Sequence, residues 1–232
     1  MKKTLIVATT KLPSKENTPL WRSLSDHSHN ENVDVEFITN NSTGLCEVYN
    51  RYINKPYETI IFAHDDITID SVNFISRVNK SLDEYDVVGV AGGGDPISIN
   101  SLYAGHMLWH IMTNTHEQSG IVFHPHKMYD CPVPAIFGSR PKGVIILDGL
   151  FLAINAKKIQ ENNIKFDENL KGFHHYDIKF CLDCYDKGLK LGTSDINIIH
   201  QSPGLQTVTT DFVKSSEYVR NCLNKMIRNA EI

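Results

Sequence analysis

The segment Thr59-Ile60-Ile61-Phe62-Ala63-His64-Asp65-Asp66-Ile67 constrains the fold more than any other, because an apolar run suited to burial on both faces ends abruptly in two adjacent carboxylates. Strands buried on both faces belong to sheets covered by helices, and in open α/β sheets ligands bind just beyond the carboxyl ends of such strands. Carboxylates placed there can hold a hard divalent cation, and the cation can hold a diphosphate. The plainer alternative is a polar turn started by Asp65 and Asp66, since Asp favours turns.

The first half of the chain repeats this theme. Strand-like runs are expected at Thr4 to Thr9, Val33 to Ile38, Thr59 to Ala63 and Val87 to Ala91. Between them, Leu45, Val48, Tyr49 and Tyr52 recur at helical spacing, as do Val72, Ile75, Val78 and Leu82 after a candidate cap at Ser71. The order β-α-β-α-β-α-β predicts an α/β fold with a mostly parallel central sheet flanked by helices. Gly92-Gly93-Gly94 then interrupts the pattern. From Asp95 to Lys142 the alternation fails, and His106, His110, His116, His124 and His126 lie among aromatic residues and prolines, which suggests an inserted loop lobe. Regularity returns with a bent strand or strand pair over residues 143–154, a short helix capped by Asn155, a helix from Tyr176 to Lys187 stopped by Gly188, a strand from Ile196 to Ile199, and an amphipathic helix from about Thr210 to Asn229.

At 232 residues the chain is long enough for one large α/β domain, and a formal net charge of -4 provides no electrostatic footprint for nucleic acid or an anionic membrane. No run approaches the roughly 20 apolar residues of a membrane span. Met1-Lys2-Lys3 and the short apolar stretch after it read as a first strand rather than a secretory leader, so a cytoplasmic protein is expected. The five cysteines are odd in number and scattered, which argues against a disulfide framework. Cys181 and Cys184 form a Cys-x-x-Cys inside a helical pattern and are expected to be buried structural thiols. Neither a dinucleotide fingerprint, a P-loop nor a nucleophile elbow is present. His124-Pro125-His126 with Asp130 and Cys131 matches no zinc spacing and reads as part of a loop, with a zinc hydrolase as the rival.

Taken in order, Leu45-Cys46-Glu47-Val48-Tyr49-Asn50-Arg51, His64-Asp65-Asp66, Asp148-Gly149, Tyr176-Asp177 with the helix to Gly188, and His200 resemble a glycosyltransferase of the GT-A type, close to family 2 and its short bacterial relatives. The resemblance runs from Thr4 to about His200 and is weakest in the insert. It implies one GT-A domain over 1–232, with a nucleotide-binding half at 1–91, an insert at 92–142, and an acceptor side with a C-terminal helix at 143–232. It implies a nucleotide-diphosphate sugar donor, a carbohydrate or glycoconjugate acceptor, and a Mn²⁺ or Mg²⁺ cofactor. The family's Asp-x-Asp is His64-Asp65-Asp66 here, so the implied metal ligand is Asp66, joined by His200. Asp65 is a second candidate, and His64 would contact the ribose or phosphate region. Thr9, Asn40 and Asn50 would face the nucleotide, and Asp148 and Gly149 the sugar and acceptor. Asp177, the acid of the family's Glu-Asp pair, would be the general base of an inverting transfer; the preceding Glu is Tyr176 here. Because acids are missing at His64 and Tyr176, a non-catalytic sugar-nucleotide or glycan-binding module is the alternative.

Overall fold

A computed structural model describes residues 2–26, 32–94, 108–128, 130–202 and 207–230. The elements run in the order β1 (Thr4–Thr9), α1 (Pro19–Asp26), β2 (Val33–Ile38), α2 (Leu45–Asn50), β3 (Thr59–His64), β4 (Ile67–Ile69), α3 (Phe74–Ser81), β5 (Val87–Gly89) and β6 (Ala91–Gly93). Then follow α4 (Trp109–Met112), β7 (Gln118–His124), β8 (Val133–Gly138), β9 (Gly143–Val144), β10 (Ile146–Leu147), β11 (Phe151–Asn155), α5 (Ala156–Glu161), α6 (Tyr176–Asp186), β12 (Leu191–Thr193), β13 (Ile198–His200) and α7 (Thr210–Ala230). The expected alternation of the first half is present, with α1 as its first crossover.

The larger sheet has the order β2-β1-β3-β11-β5-β12-β9. Strands β2, β1, β3, β5 and β12 share one direction, while β11 and β9 run against them. Its centre is dry: every residue of β1 is buried, as are the first five of β3 and the first four of β11. Continuous burial is why these strands are apolar runs rather than alternating ones. Truncating such a side chain leaves a cavity that close-packed neighbours fill only in part.

A second sheet, β10-β6-β7-β13-β4 with β8 on β7, stands beside the first. Here the sequence expectation is corrected in two places. The single strand expected at Val87 to Ala91 breaks at Val90 into β5 and β6, one in each sheet, and Gly92 and Gly93 belong to β6 rather than ending the pattern. A side chain at Gly92 would strike the Ile146 carbonyl, so close pairing with β10 requires glycine there. The insert is also more regular than a loop lobe, since β7 and β8 form an antiparallel pair over Gly120 to His124 and Val133 to Gly138. His106 and residues 95–107 around it lie outside the described residues.

Smaller expectations divide similarly. Asn155 caps α5, accepting from the Lys158 N–H. Ser71 does not cap α3: the residue before that helix is Asn73, and the Ser71 hydroxyl accepts from the Asn197 N–H at 2.7 Å. Cys181 and Cys184 are buried, and the Cys181 sulfur accepts from the Leu147 N–H. Helix α7 buries Phe212, Val219 and Leu223. Among the described residues no helix is long and apolar enough to cross a membrane.

A chain of aromatic rings links the centre of the sheet to α6. Tyr49 lies 4.6 Å from Phe62, Phe62 lies 5.0 Å from Phe166, and Phe166 stacks on Phe180 at 4.3 Å. This packing fixes the start of α6 relative to the end of β3, the two places where the candidate acids stand.

Candidate active site

The turn Asp65-Asp66 joins β3 to β4, which crosses into the second sheet, so the turn and the ligand readings of this pair meet at one place. Strand β13 pairs with β4 so that His200 stands opposite Ile67, and the Gln201 N–H donates to the Asp66 carbonyl at 2.8 Å. That register brings the His200 ring to Asp66, with Nε2 3.5 Å from Oδ1. His64 Nδ1 approaches the same oxygen at 3.8 Å. Oδ1 of Asp66 is buried and has no hydrogen-bond partner, and one ligand atom from each of His64, Asp66 and His200 lies within 4.8 Å of the others. A buried carboxylate oxygen without a partner is costly unless a cation or donor meets it, so this donor set fits a divalent ion. Burial pushes His64 below the ordinary imidazole value. Burial would do the same to His200, but Asp66 outweighs it and raises the ring. Burial alone would raise Asp66; His200 and then His64 reverse the effect and hold it below the usual carboxylate range.

A cleft of about 240 Å³ opens beside this cluster, lined among others by Thr9, Asn41, Tyr49, Asp65, Asp66 and Phe173. The hydroxyls of Thr9 and Tyr49 are buried without a hydrogen-bond partner, which leaves polar groups for a ligand. Two residues expected on the nucleotide side stand outside the lining of this cleft. Asn40 is exposed in the left-handed region at φ 51°, and its neighbour Asn41 lines the cleft instead. Asn50 is engaged elsewhere: its amide donates to the Phe166 carbonyl and to Glu168, and accepts from the Phe166 N–H, each at 2.9 Å.

The other half of the site is built around the start of α6. Asp177, in its first turn, accepts from the Gly149 N–H at 2.9 Å. Burial, and then the charge of Asp148, push the Asp177 carboxyl up to about 7, against the lowering effect of the Ile178 and Gly149 N–H groups. The carboxyl therefore stands well above the ordinary Asp value of about 3.9. Asp148 is held by the Trp109 indole N–H at 2.7 Å and the Leu150 N–H at 3.0 Å. The Tyr176 hydroxyl donates to the Gly149 carbonyl at 2.8 Å and lies 2.8 Å from His64 Nε2. Contacts among His64, Tyr176, Gly149 and Asp177 thus connect the cation cluster to the raised acid.

Sequence reading brought forward Thr9, His64, Asp65, Asp66, Asp148, Gly149, Asp177 and His200, all of which stand in the cleft or this network. It missed Asn41, Tyr49, Trp109 and Phe173. Trp109 comes from the part without regular pattern, where no periodicity marks an inward side chain. The insert histidines form no cation cluster among the described residues, and His124 packs its ring 5.8 Å from His200. A Cβ on Gly149 would collide with the Tyr176 hydroxyl and with Asp177. Gly149→Ala is therefore expected to displace the raised acid and lower kcat by about 10²-fold, the effect of a misplacement near 1 Å, which steady-state kinetics on a folded variant would reveal.

Residues 21–224 match a glycosyltransferase-like family. The chain belongs to that family. No curated protein matches this glycosyltransferase. Among solved structures, it is similar to S. aureus TarS 1-349, with a TM-score of 0.50 and 17% identity over 94% of this chain and 64% of that one. It is also similar to GalNAc-T7, solved with UDP, GalNAc and Mn²⁺, with a TM-score of 0.51 and 13% identity over 95% of this chain and 48% of that one. The glycosyltransferase thus spans less than two thirds of either neighbour's length, and the likeness shows a shared GT-A fold.

Proposed function

We propose that this enzyme transfers a sugar from a nucleotide-diphosphate donor to a hydroxyl of a carbohydrate or glycoconjugate acceptor, with inversion at the anomeric carbon and with the help of Mn²⁺ or Mg²⁺. The observation that carries the reading is the raised carboxyl of Asp177, set in a network with a His-Asp-His cluster that borders a cleft of about 240 Å³. Asp66 and His200, with His64, would hold the ion, which supplies Lewis-acid neutralisation of the departing diphosphate. Thr9, Asn41 and Tyr49 would hold the nucleoside from the 1–91 half. Asp148, fixed by Trp109 from the insert, would orient sugar hydroxyls from the acceptor side, 143–232. Asp177 takes the acceptor hydroxyl proton as the C–O bond forms, and a pKa near 7 makes it a stronger base than an ordinary Asp while leaving it about half ionised at neutral pH. The Mn²⁺, UDP and GalNAc held by GalNAc-T7 support the choice of ligands.

The test is a thermal-shift screen of nucleotide sugars with and without Mn²⁺, followed by release of the nucleoside diphosphate with an acceptor panel. A ligand that binds only the native state raises its stability by about 2.7 kcal/mol at a hundred times Kd. One donor is expected to shift the melt only with the ion present. If no nucleotide sugar does so, the proposal fails; binding without transfer to any acceptor selects a non-catalytic module, the reading that Tyr176 in the acid's place would favour.

A further inference from the structure

Tyr176 is buried, at 2% exposure, among the rings of Tyr49 and Phe166, and the proposed transfer chemistry leaves it without a task. We propose that Tyr176 is a positioning residue that locks His64 in its Nε2–H tautomer, turning the Nδ1 lone pair toward Asp66 and making His64 a working ligand of the cation. This rests on the divalent-ion reading above.

The number of protons available fixes the tautomer. A phenol has one proton, and Tyr176 donates it to the Gly149 carbonyl at 2.8 Å, a group that can only accept. His64 Nε2 lies 2.8 Å from the same phenol oxygen. Two lone pairs at that separation would repel, so Nε2 must carry the hydrogen and donate it. A neutral imidazole protonated at Nε2 has a bare Nδ1. That nitrogen stands 3.8 Å from Asp66 Oδ1, too far for a hydrogen bond and facing a buried oxygen that accepts none. His200 Nε2, at 3.5 Å, faces the same oxygen. Two ligand atoms bound to one ion at about 2.0–2.1 Å are at most about 4.2 Å apart, so both separations suit a shared cation. In effect the triplet His64-Asp65-Asp66 is not a damaged acidic motif. Its first position is a nitrogen ligand, and Tyr176 stands where an acid was expected because a phenol can both donate to Gly149 and accept from His64. Two imidazoles with one carboxylate form a softer donor set than paired carboxylates, which favours Mn²⁺ over Mg²⁺.

The experiment uses the full chain and Mn²⁺ alone, titrated by calorimetry or electron paramagnetic resonance into wild type, Tyr176→Phe, His64→Ala and the double variant, with ¹⁵N spectra of the metal-free wild-type imidazoles. Partners of a ligating His are worth about 10- to 100-fold in metal affinity, so Tyr176→Phe is expected to weaken Mn²⁺ by that factor and to narrow the preference over Mg²⁺. In the His64→Ala background the same change is expected to have no further effect, because Tyr176 acts only through His64. An unchanged affinity in Tyr176→Phe, an equal loss with and without His64, or an Nδ1–H tautomer in the wild-type spectrum would each overturn the proposal. Failure of wild type to bind Mn²⁺ sinks the cation reading itself, a result distinct from loss of the Tyr176 role alone. Should Tyr176→Phe not fold, the wild-type tautomer still decides the matter.

Discussion

Asp177→Asn is expected to lower kcat by about 10²- to 10⁴-fold while leaving the Mn²⁺-dependent donor melt shift in place, since the substitution removes a base and little else. The Asn carbonyl can still accept from the Gly149 N–H, so the backbone at the start of α6 need not move. In the wild type, only the carboxylate acts as base, and kcat is expected to rise with pH through about 7 and level off above it. Stability should show the opposite trend. The folded-state value lies above the unfolded one of about 3.9, so the contribution of this group is fully present below about pH 4 and is lost as pH rises through about 7. Asp177→Asn should then be more stable than wild type at pH 8, by on the order of 2 kcal/mol after allowing for the carboxyl's partial exposure, with the advantage gone at pH 4. An inactive variant that melts later at alkaline pH would be hard to explain by misfolding. Retention of more than a tenth of wild-type kcat would remove Asp177 from the chemistry.

Asp66→Asn is expected to abolish both the ion and the transfer. The carboxylate is the only anionic member of the His64-Asp66-His200 cluster, and both rings face its Oδ1. Loss of a direct anionic ligand should exceed the 10- to 100-fold cost of losing an outer partner, so Mn²⁺ affinity is expected to fall by more than about 10²-fold. Activity should vanish with it, and chelation of wild type should mimic the variant until Mn²⁺ is restored. The contrast with Asp177→Asn is diagnostic: one variant binds ion and donor without turnover, the other binds neither. Undiminished Mn²⁺ binding and turnover in Asp66→Asn would show that the cluster is not a metal site.

The fold was legible because its signals are local. Burial on both faces of β1 and β3 demands uninterrupted apolar runs, and the helical spacing of Leu45, Val48 and Tyr49 places all three in the core. The acids at the end of β3 were legible for the same reason, since a buried run that stops in carboxylates marks the sheet's ligand-facing end. For Asn40 and Asn50 the sequence is less informative, because an Asn looks alike whether it faces a ligand, turns the chain or ties down a loop; Asn40 takes a left-handed φ, and Asn50 pairs with the carbonyl and N–H of Phe166. The split of the Val87 to Ala91 run at Val90 was hidden because apolar residues suit either sheet.

By itself, then, the sequence determined the order of strands and helices, the buried centre of the larger sheet, and the placing of acids and histidines at element ends, all of which depend on neighbours a few positions away. Only the tertiary structure decided that Asp177 titrates near 7 and that the Tyr176 hydroxyl meets both His64 and Gly149. The physical reason is that a proton's affinity and a ring's tautomer are set by what surrounds the group in space. For Tyr176 those partners lie 112 and 27 residues away along the chain.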